Sequence, residues 1–374
     1  MIPRNKYEKV FRALWDIYKQ KNIPKQNIYK GPGAKLAIVA DGADWVLGWE
    51  AYELKMTCQR LGIKTVHPFT RFFDPEVSTF HVSQFDITNY KWESLRGRSG
   101  FAMFHGHEGD GKEFQKIWDR IKSSRSYFST LQVSNHEMKA RLLQAGLNTD
   151  QIRVIPIGIN PSFFWPQSKE SKRFYRAKYS IPKDAKVIGS FQKDGEGWGS
   201  GDIPKLIKGP DVFLKTIQLL HAKIPNLFVL LTGPSRGFVK NGLKDMNIPF
   251  KHIYLNSYPE IGGVYQCLDA YIVASRIEGG PKAILESMAS RVPIISTRVG
   301  QADDIIINSI NGWVCEKENF SEIAEKCALT MLNESLTESI TQQGLITASQ
   351  HTYQMQSSAW SDLLQKLVST TSRG

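Results

Sequence analysis

The chain has 374 residues, 41% hydrophobic and 22% charged, an ordinary globular composition that excludes a disordered tail protein, a collagen-like repeat and a coiled-coil rod. Lys and Arg number 48 against 36 Asp and Glu, a formal net charge of +12, and such a surplus favours anionic partners: nucleic acid, an acidic membrane surface or a phosphorylated small molecule. No apolar run approaches the roughly 18–20 residues that cross a bilayer, and the length predicts two domains.

Tyr7, Val10, Phe11, Leu14, Trp15 and Tyr18 recur at helical steps with Lys6, Lys9, Arg12 and Lys19 between them, which predicts one amphipathic basic helix. It either lies on an acidic membrane or packs on its own domain. This N-terminal stretch lacks a compact apolar segment with a small-residue cleavage site, so no secretory signal is expected. The buried-strand pattern KLAIVADG follows, then a helix over about 48–61 ended by Gly62, then a second strand, KTVHP. Strand, helix, strand begins a parallel sheet covered by helices. The series continues with a strand at 101–105, a helix over 114–121, a strand at 129–134, a helix over 137–145 and a strand at 153–158.

Residues 160–184 carry three prolines and a cluster of basic side chains, the composition of an interdomain linker. A second series then runs through strands at 186–191, 226–233, 252–256, 269–275 and 292–297, with helices over about 211–222, around Tyr265 and from Pro281. The expected domains are 1–165 and 166–350, with 351–374 as a terminal helix. The four cysteines, Cys58, Cys267, Cys315 and Cys327, show no C-x-x-C pair and no zinc spacing. They are expected to be reduced and buried in a cytoplasmic protein.

The most informative stretch is 275–305, which reads as strand end, tight loop, helix and strand. Gly279 and Gly280 let the backbone approach a ligand, and Pro281 suits the first helical position. The free amides beyond it and the helix dipole make an anion site, although an ordinary strand-to-helix turn has the same glycines.

Glu278 and Glu286, in the context EGGPKAILESMA, resemble the Glu-x7-Glu signature of retaining nucleotide-sugar glycosyltransferases of glycosyltransferase family 4. The continuation VPIISTRVGQADDIIINSINGWV, the stretch KLIKGPDVFLKTI and the stretch QIRVIPIGINPSFFWP are similar to that family too. The resemblance covers about residues 129–320. It implies an α/β architecture of the GT-B type, two Rossmann-like domains facing across a cleft, the first binding acceptor and the second donor, with the C-terminal helix returning to the first. It also implies retaining, metal-independent transfer of a hexose-type sugar from a nucleotide-diphosphate sugar to an acceptor hydroxyl, in glycan, polysaccharide or glycolipid synthesis. No cofactor and no metal site are expected beyond that donor.

Carried over to this chain, the resemblance implies that Glu286 accepts from ribose hydroxyls, that Glu278 with Gly279, Gly280, Pro281 and Lys282 holds the donor sugar, and that Lys208 compensates the diphosphate. A second cation is open between Lys193 and Lys205, because an arginine usual in the family is absent and a glycine-rich insertion separates these lysines. His105 matches a histidine that contacts the donor sugar, and with His107 it falls at the carboxyl edge where open α/β sheets bind ligands. Asp44 and Trp45, in the loop after the first strand, are candidate acceptor contacts; Trp45 and Trp49 stand at i, i+4 and equally suit a core.

Spacing argues against a glycosidase pair, because eight helical residues at about 1.5 Å span roughly 12 Å, beyond the roughly 5–9.5 Å of such enzymes, with the loop part of the segment loosening that span. A nucleic-acid partner is not expected, since no recognition-helix, RRM or zinc pattern accompanies the charge. A non-catalytic GT-B sugar- or nucleotide-binding protein and a GT-B epimerase or phosphorylase stay as alternatives. The expected partners are a nucleotide sugar and a sugar or lipid-linked sugar acceptor, and the surplus charge predicts a peripheral contact with an acidic membrane at its cytoplasmic face.

Overall fold

The computed structural model describes residues 35–40, 46–74, 76–89 and 99–369. The basic helix expected near residues 6–19 lies outside them, as do Asp44 and Trp45. One sheet is built from β1 (Lys35–Val39), β2 (Lys64–Val66), β3 (Ser78–His81), β4 (Ser99–Ala102), β5 (Phe128–Val133) and β6 (Ile152–Val154). A second is built from β7 (Lys186–Ser190), β8 (Leu227–Thr232), β9 (Phe250–Ile253), β10 (Ala270–Val273), β11 (Ile294–Thr297) and β12 (Trp313–Cys315). The strand orders are β2-β1-β3-β4-β5-β6 and β12-β11-β10-β7-β8-β9, and every pairing is parallel. The fold is therefore α/β in two halves.

Helices on the faces explain the unbroken apolar runs of the strands. All six residues of β8 are buried, as a strand with both faces covered requires. The covering helices show the matching period: Lys112–Ser123 buries Phe114, Ile117, Trp118 and Ile121, one stripe of a 3.6-residue helix.

Three local expectations need correction. β3 is not expected from its sequence, STFH, which is mostly polar; each of its three polar side chains finds a partner inside the fold, Ser78 Oγ donating to Leu367 O, Thr79 Oγ1 3.0 Å from Ser99 Oγ and His81 Nδ1 3.0 Å from Asp86. The fourth strand ends at Ala102, so His105 sits in the following loop rather than at a strand end. The presumed linker contains a helix, Lys169–Lys178, opened by a reciprocal Ser168–Ser171 cap. Its basic side chains clamp Asp269: Lys172 Nζ at 2.6 Å and Arg176 Nη2 at 2.7 Å. Burial works against the Asp269 carboxylate, but the two cations hold its pKa below the usual range.

After the second sheet the chain crosses back. The helix Ser357–Ser369 buries Trp360, Leu363, Leu364 and Leu367 in one cluster with Leu36, Leu54 and Phe80 of the first half, and Ser78 Oγ donates to Leu367 O at 3.0 Å.

Candidate functional site

In the second sheet, β8 and β9 are added on one side of β7 and the chain then returns to place β10 on its other side. Such a switch point opens a crevice at the carboxyl ends of the strands. A cavity of about 590 Å³ occupies that position, lined by residues following β7, β8, β9 and β10, a volume typical of small-molecule sites.

Lys193, Lys205 and Lys208 reach this cavity together. Lys208 ends a short turn, Leu206–Lys208, that is fixed by Gly209: its φ is +62°, and a Cβ there would lie 1.9 Å from Ala274 O. Gln192 Nε2 donates to Lys208 O at 2.8 Å, while the backbone N–H groups of Arg276 and Ile277 donate to Ile207 O. Arg276 also forms a two-toothed contact with Asp211, 2.8 Å at each tooth. The lysine turn is thus held from both flanks.

Lys208 Nζ donates to Glu278 Oε1 at 2.6 Å, and Ser275 Oγ donates to the same oxygen at 2.9 Å. Burial pushes the Glu278 carboxyl up, but Lys208 and Ser275 outweigh it and hold the group below the usual carboxylate range. Glu278 is therefore ionised. One ammonium proton of Lys208 is committed to it and two remain for another acceptor.

Glu286 differs. It is buried, and Tyr258 OH donates to Oε1 while Tyr265 OH donates to Oε2 at 2.9 Å. Burial raises its pKa against the pull of Lys282 and both tyrosines. Each of its oxygens keeps a second lone pair for a hydroxyl donor. Lys282, one helical turn before Glu286, does not bond to it: Lys282 Nζ donates to Glu50 Oε1 of the first half at 2.6 Å and to Tyr353 OH at 2.9 Å. Lys282 still lines the cavity.

The two loop glycines serve a different neighbour from the one expected. A Cβ on Gly279 would stand 2.4 Å from Phe104 Cβ, and one on Gly280 would meet Gln301 and Ile157 at 2.7–2.9 Å. Phe104 and Ile157 belong to the facing half of the protein, Gln301 to the glycines' own half. From the facing half Ser134 Oγ and Asn135 Nδ2 donate to Gly279 O at 2.7 and 3.1 Å. Pro281 is the residue before the helix Lys282–Ala289, not its first turn.

His105 faces the same center from the first half. Its loop is gripped by Gln84, whose Oε1 accepts from the N–H of Phe104 and of His105 and whose Nε2 donates to His105 O. Burial pushes the imidazole pKa down to about 4, opposed by the charge of Glu278 and helped by Lys208 and Lys205. His105 is neutral at physiological pH. His107 is not brought to the site: its Nε2 lies 3.7 Å from Glu137 on the outer helix His136–Gln144. Trp49 packs edge-on against Phe163 at 5.5 Å and near Tyr258 at 5.6 Å, between the halves.

Sequence reasoning missed Tyr258, Tyr265 and Tyr271, the last accepting from Phe191 N–H at 2.8 Å. Their signal was the tyrosine-rich run from Tyr254 to Tyr271, which reads equally as core. It also missed Gln192, Gln84 and Glu50, none of which stands out by spacing. Among the described residues no three His, Cys, Asp or Glu side chains are grouped to hold a metal ion.

Comparison with known proteins bears on this arrangement. Residues 201–345 match the family described as Glycosyl transferases group 1. A capsular polysaccharide biosynthesis glycosyltransferase of Staphylococcus aureus is 34% identical over 146 residues, 37% of this chain and 37% of that one. The chain spans 32–46% of the length of the curated relatives it matches. A glycosyltransferase from Rickettsia africae superposes with a TM-score of 0.68 at 16% identity, covering 91% of this chain and 100% of its own. The Anabaena protein HepE, solved in complex with UDP-glucose, gives 0.66 at 13% identity over 91% and 100%. The fold of this chain is the GT-B fold of those structures.

Proposed function

We propose that the protein is a glycosyltransferase that moves a hexose-type sugar from a nucleotide-diphosphate sugar to an acceptor hydroxyl, with retention, in glycan or polysaccharide synthesis. The observation that carries this reading is the convergence of Lys193, Lys205 and Lys208 with Glu278 and Glu286 on one cavity at the switch point of the second sheet. The group 1 match over 201–345 supports it, as does HepE, a protein of the same fold solved in complex with UDP-glucose.

In this reading the lysines receive the diphosphate. Lys208 has two protons to offer beside its bond to Glu278, and Lys193 and Lys205 both serve as the further cations. Stabilising charge as it develops on the leaving group is commonly the largest contribution in such sites. Glu286, oriented by two tyrosines, accepts from the ribose hydroxyls. Glu278 stays ionised and positions the sugar, stabilising positive charge at the anomeric carbon rather than attacking it. The departing phosphate oxygen takes the acceptor's proton, and neutral His105 contacts the donor sugar from the facing half. Gly280, Pro281 and Lys282 close the cavity on that side. The transfer is metal-independent, so added EDTA leaves the rate unchanged. A peripheral contact with acidic membrane belongs to the same reading, supported by the net charge alone.

Calorimetric titration with UDP, GDP and ADP tests the reading. One nucleotide binds, and Lys208→Ala and Glu286→Ala both weaken it. If no nucleotide binds, or binding ignores both substitutions, the donor assignment fails.

A further inference from the structure

One backbone oxygen of the donor loop is held more firmly than a turn requires. Gly279 O accepts from Ser134 Oγ at 2.7 Å, from Asn135 Nδ2 at 3.1 Å and from the N–H of Gln301 at 3.0 Å, three donors on a group with two lone pairs. The carbonyl has no room to turn. A Cβ on Gly300, whose φ is +51°, would lie 2.0 Å from it, and one on Gly279 would meet Phe104 at 2.4 Å. Gln301 belongs to the second half, but Ser134 and Asn135 directly follow β5 of the first.

Both of these side chains are spent on the contact. Ser134 is wholly buried and Asn135 is 3% exposed. Asn135 gives its other amide proton to Ser134 Oγ at 3.2 Å, and its Oδ1 accepts from Met138 N–H at 2.8 Å, capping the helix His136–Gln144. No proton of either side chain is left for a ligand, so their effect on the donor cavity passes through the Gly279 carbonyl. The Gly279–Gly280 peptide is planar and trans, so its C=O and N–H point to opposite sides. With the oxygen aimed at Ser134 and Asn135, the Gly280 N–H is turned away from the first half. Gly280 lines the donor cavity together with Lys208 and Glu278, and its N–H has no acceptor among the described residues. A fixed amide left unpaired beside an ammonium is a donor for an anion.

We infer that Ser134 and Asn135 are positioning residues for the donor: they hold the Gly279–Gly280 peptide so that its N–H meets the diphosphate. This rests on the transferase reading above. The amide belongs to the second half and the side chains that aim it belong to the first, so the phosphate site is complete only while the two halves are together.

The test compares a ligand that has the phosphates with one that lacks them. The full chain and its Ser134→Ala and Asn135→Ser variants are titrated calorimetrically with UDP, GDP and ADP, and their affinities for uridine, guanosine and adenosine are measured by saturation-transfer NMR. Asn135→Ser removes the amide donor but leaves a residue that caps helices as well as asparagine does. Each variant should bind the preferred diphosphate about tenfold more weakly, the size of a lost hydrogen bond to a charged group, while the matching nucleoside binds as it does to the parent. Two results overturn the inference: diphosphate affinity unchanged in both variants, or nucleoside and diphosphate affinities falling together, which is what simple loosening of the contact between the halves would give. A parent protein that binds no nucleotide overturns the donor reading and this inference with it; a parent that binds one, with variants that do not separate diphosphate from nucleoside, overturns this inference alone.

Discussion

The two walls of the cleft are made on different principles. The second half supplies charge that is already paired within itself: Lys208 with Glu278, and Glu286 with Tyr258 and Tyr265. The first half brings to the same center a neutral imidazole, a loop gripped by Gln84, and the side chains of Glu50, Ser134 and Asn135 that reach across to the donor loop. One wall is preorganised for an ionic ligand, the other shapes and seats the loop that touches it.

Substitutions on the two walls should therefore fail differently. Lys208→Ala removes the best-held cation, and steady-state kinetics should show a fall of about 10²–10³ in kcat, the size seen when one preorganised charge-stabilising donor is lost, with some loss of Tm because Glu278 keeps only Ser275 as a donor. Lys282→Met strips Glu50 of its cation inside the interface; breaking a buried pair from one side costs about 3–5 kcal/mol, so thermal unfolding should fall sharply. Glu50→Gln with Lys282→Met should recover part of that loss. If the double variant is no more stable than Lys282→Met, the cross-half pair does not hold the donor loop. Tyr258→Phe should cost about 1 kcal/mol of nucleotide affinity by calorimetry, because it frees one Glu286 oxygen without emptying the pocket.

The last effect vanishes at neutral pH. His105, with its pKa depressed from 6.5 to about 4, takes up its proton more readily in the unfolded chain. The stability this preserves is full above about pH 6.5 and is lost as pH falls toward 4. His67, His107 and His252 are shifted the same way. Denaturant unfolding of His105→Gln should accordingly show a shallower pH dependence between 4 and 6.5 than the parent protein, while the two coincide in slope above pH 7.

Much of the second half was legible because Glu278, Glu286, Lys208 and the glycines between strand and helix stand in runs with a pattern of their own, and the fold brings Lys208, Glu278, Gly280 and Glu286 to one cavity. Gly279 shows the limit of that reading. The residue was singled out for its freedom from a side chain, but what needs the room is Phe104 from far along the chain. β3 was hidden because its polar side chains are satisfied by partners that only the fold supplies. The helix Lys169–Lys178 was hidden because its basic residues are spent on Asp269, some hundred positions on. The tyrosines around Glu286 have no spacing rule at all; they converge through packing.

The helix Ser357–Ser369 has a consequence for how the protein is made. Its Trp360, Leu363, Leu364 and Leu367 fill the cluster around Leu36 and Phe80, so the first sheet leaves the ribosome with one of its hydrophobic faces open and waits while the entire second half is translated. Domains commonly fold in the order of synthesis, but here the earlier one can finish only after the later. A premature stop before residue 357 would therefore do its damage at the opposite end of the molecule, and a chaperone that shelters the first sheet during that interval would raise the yield of folded protein.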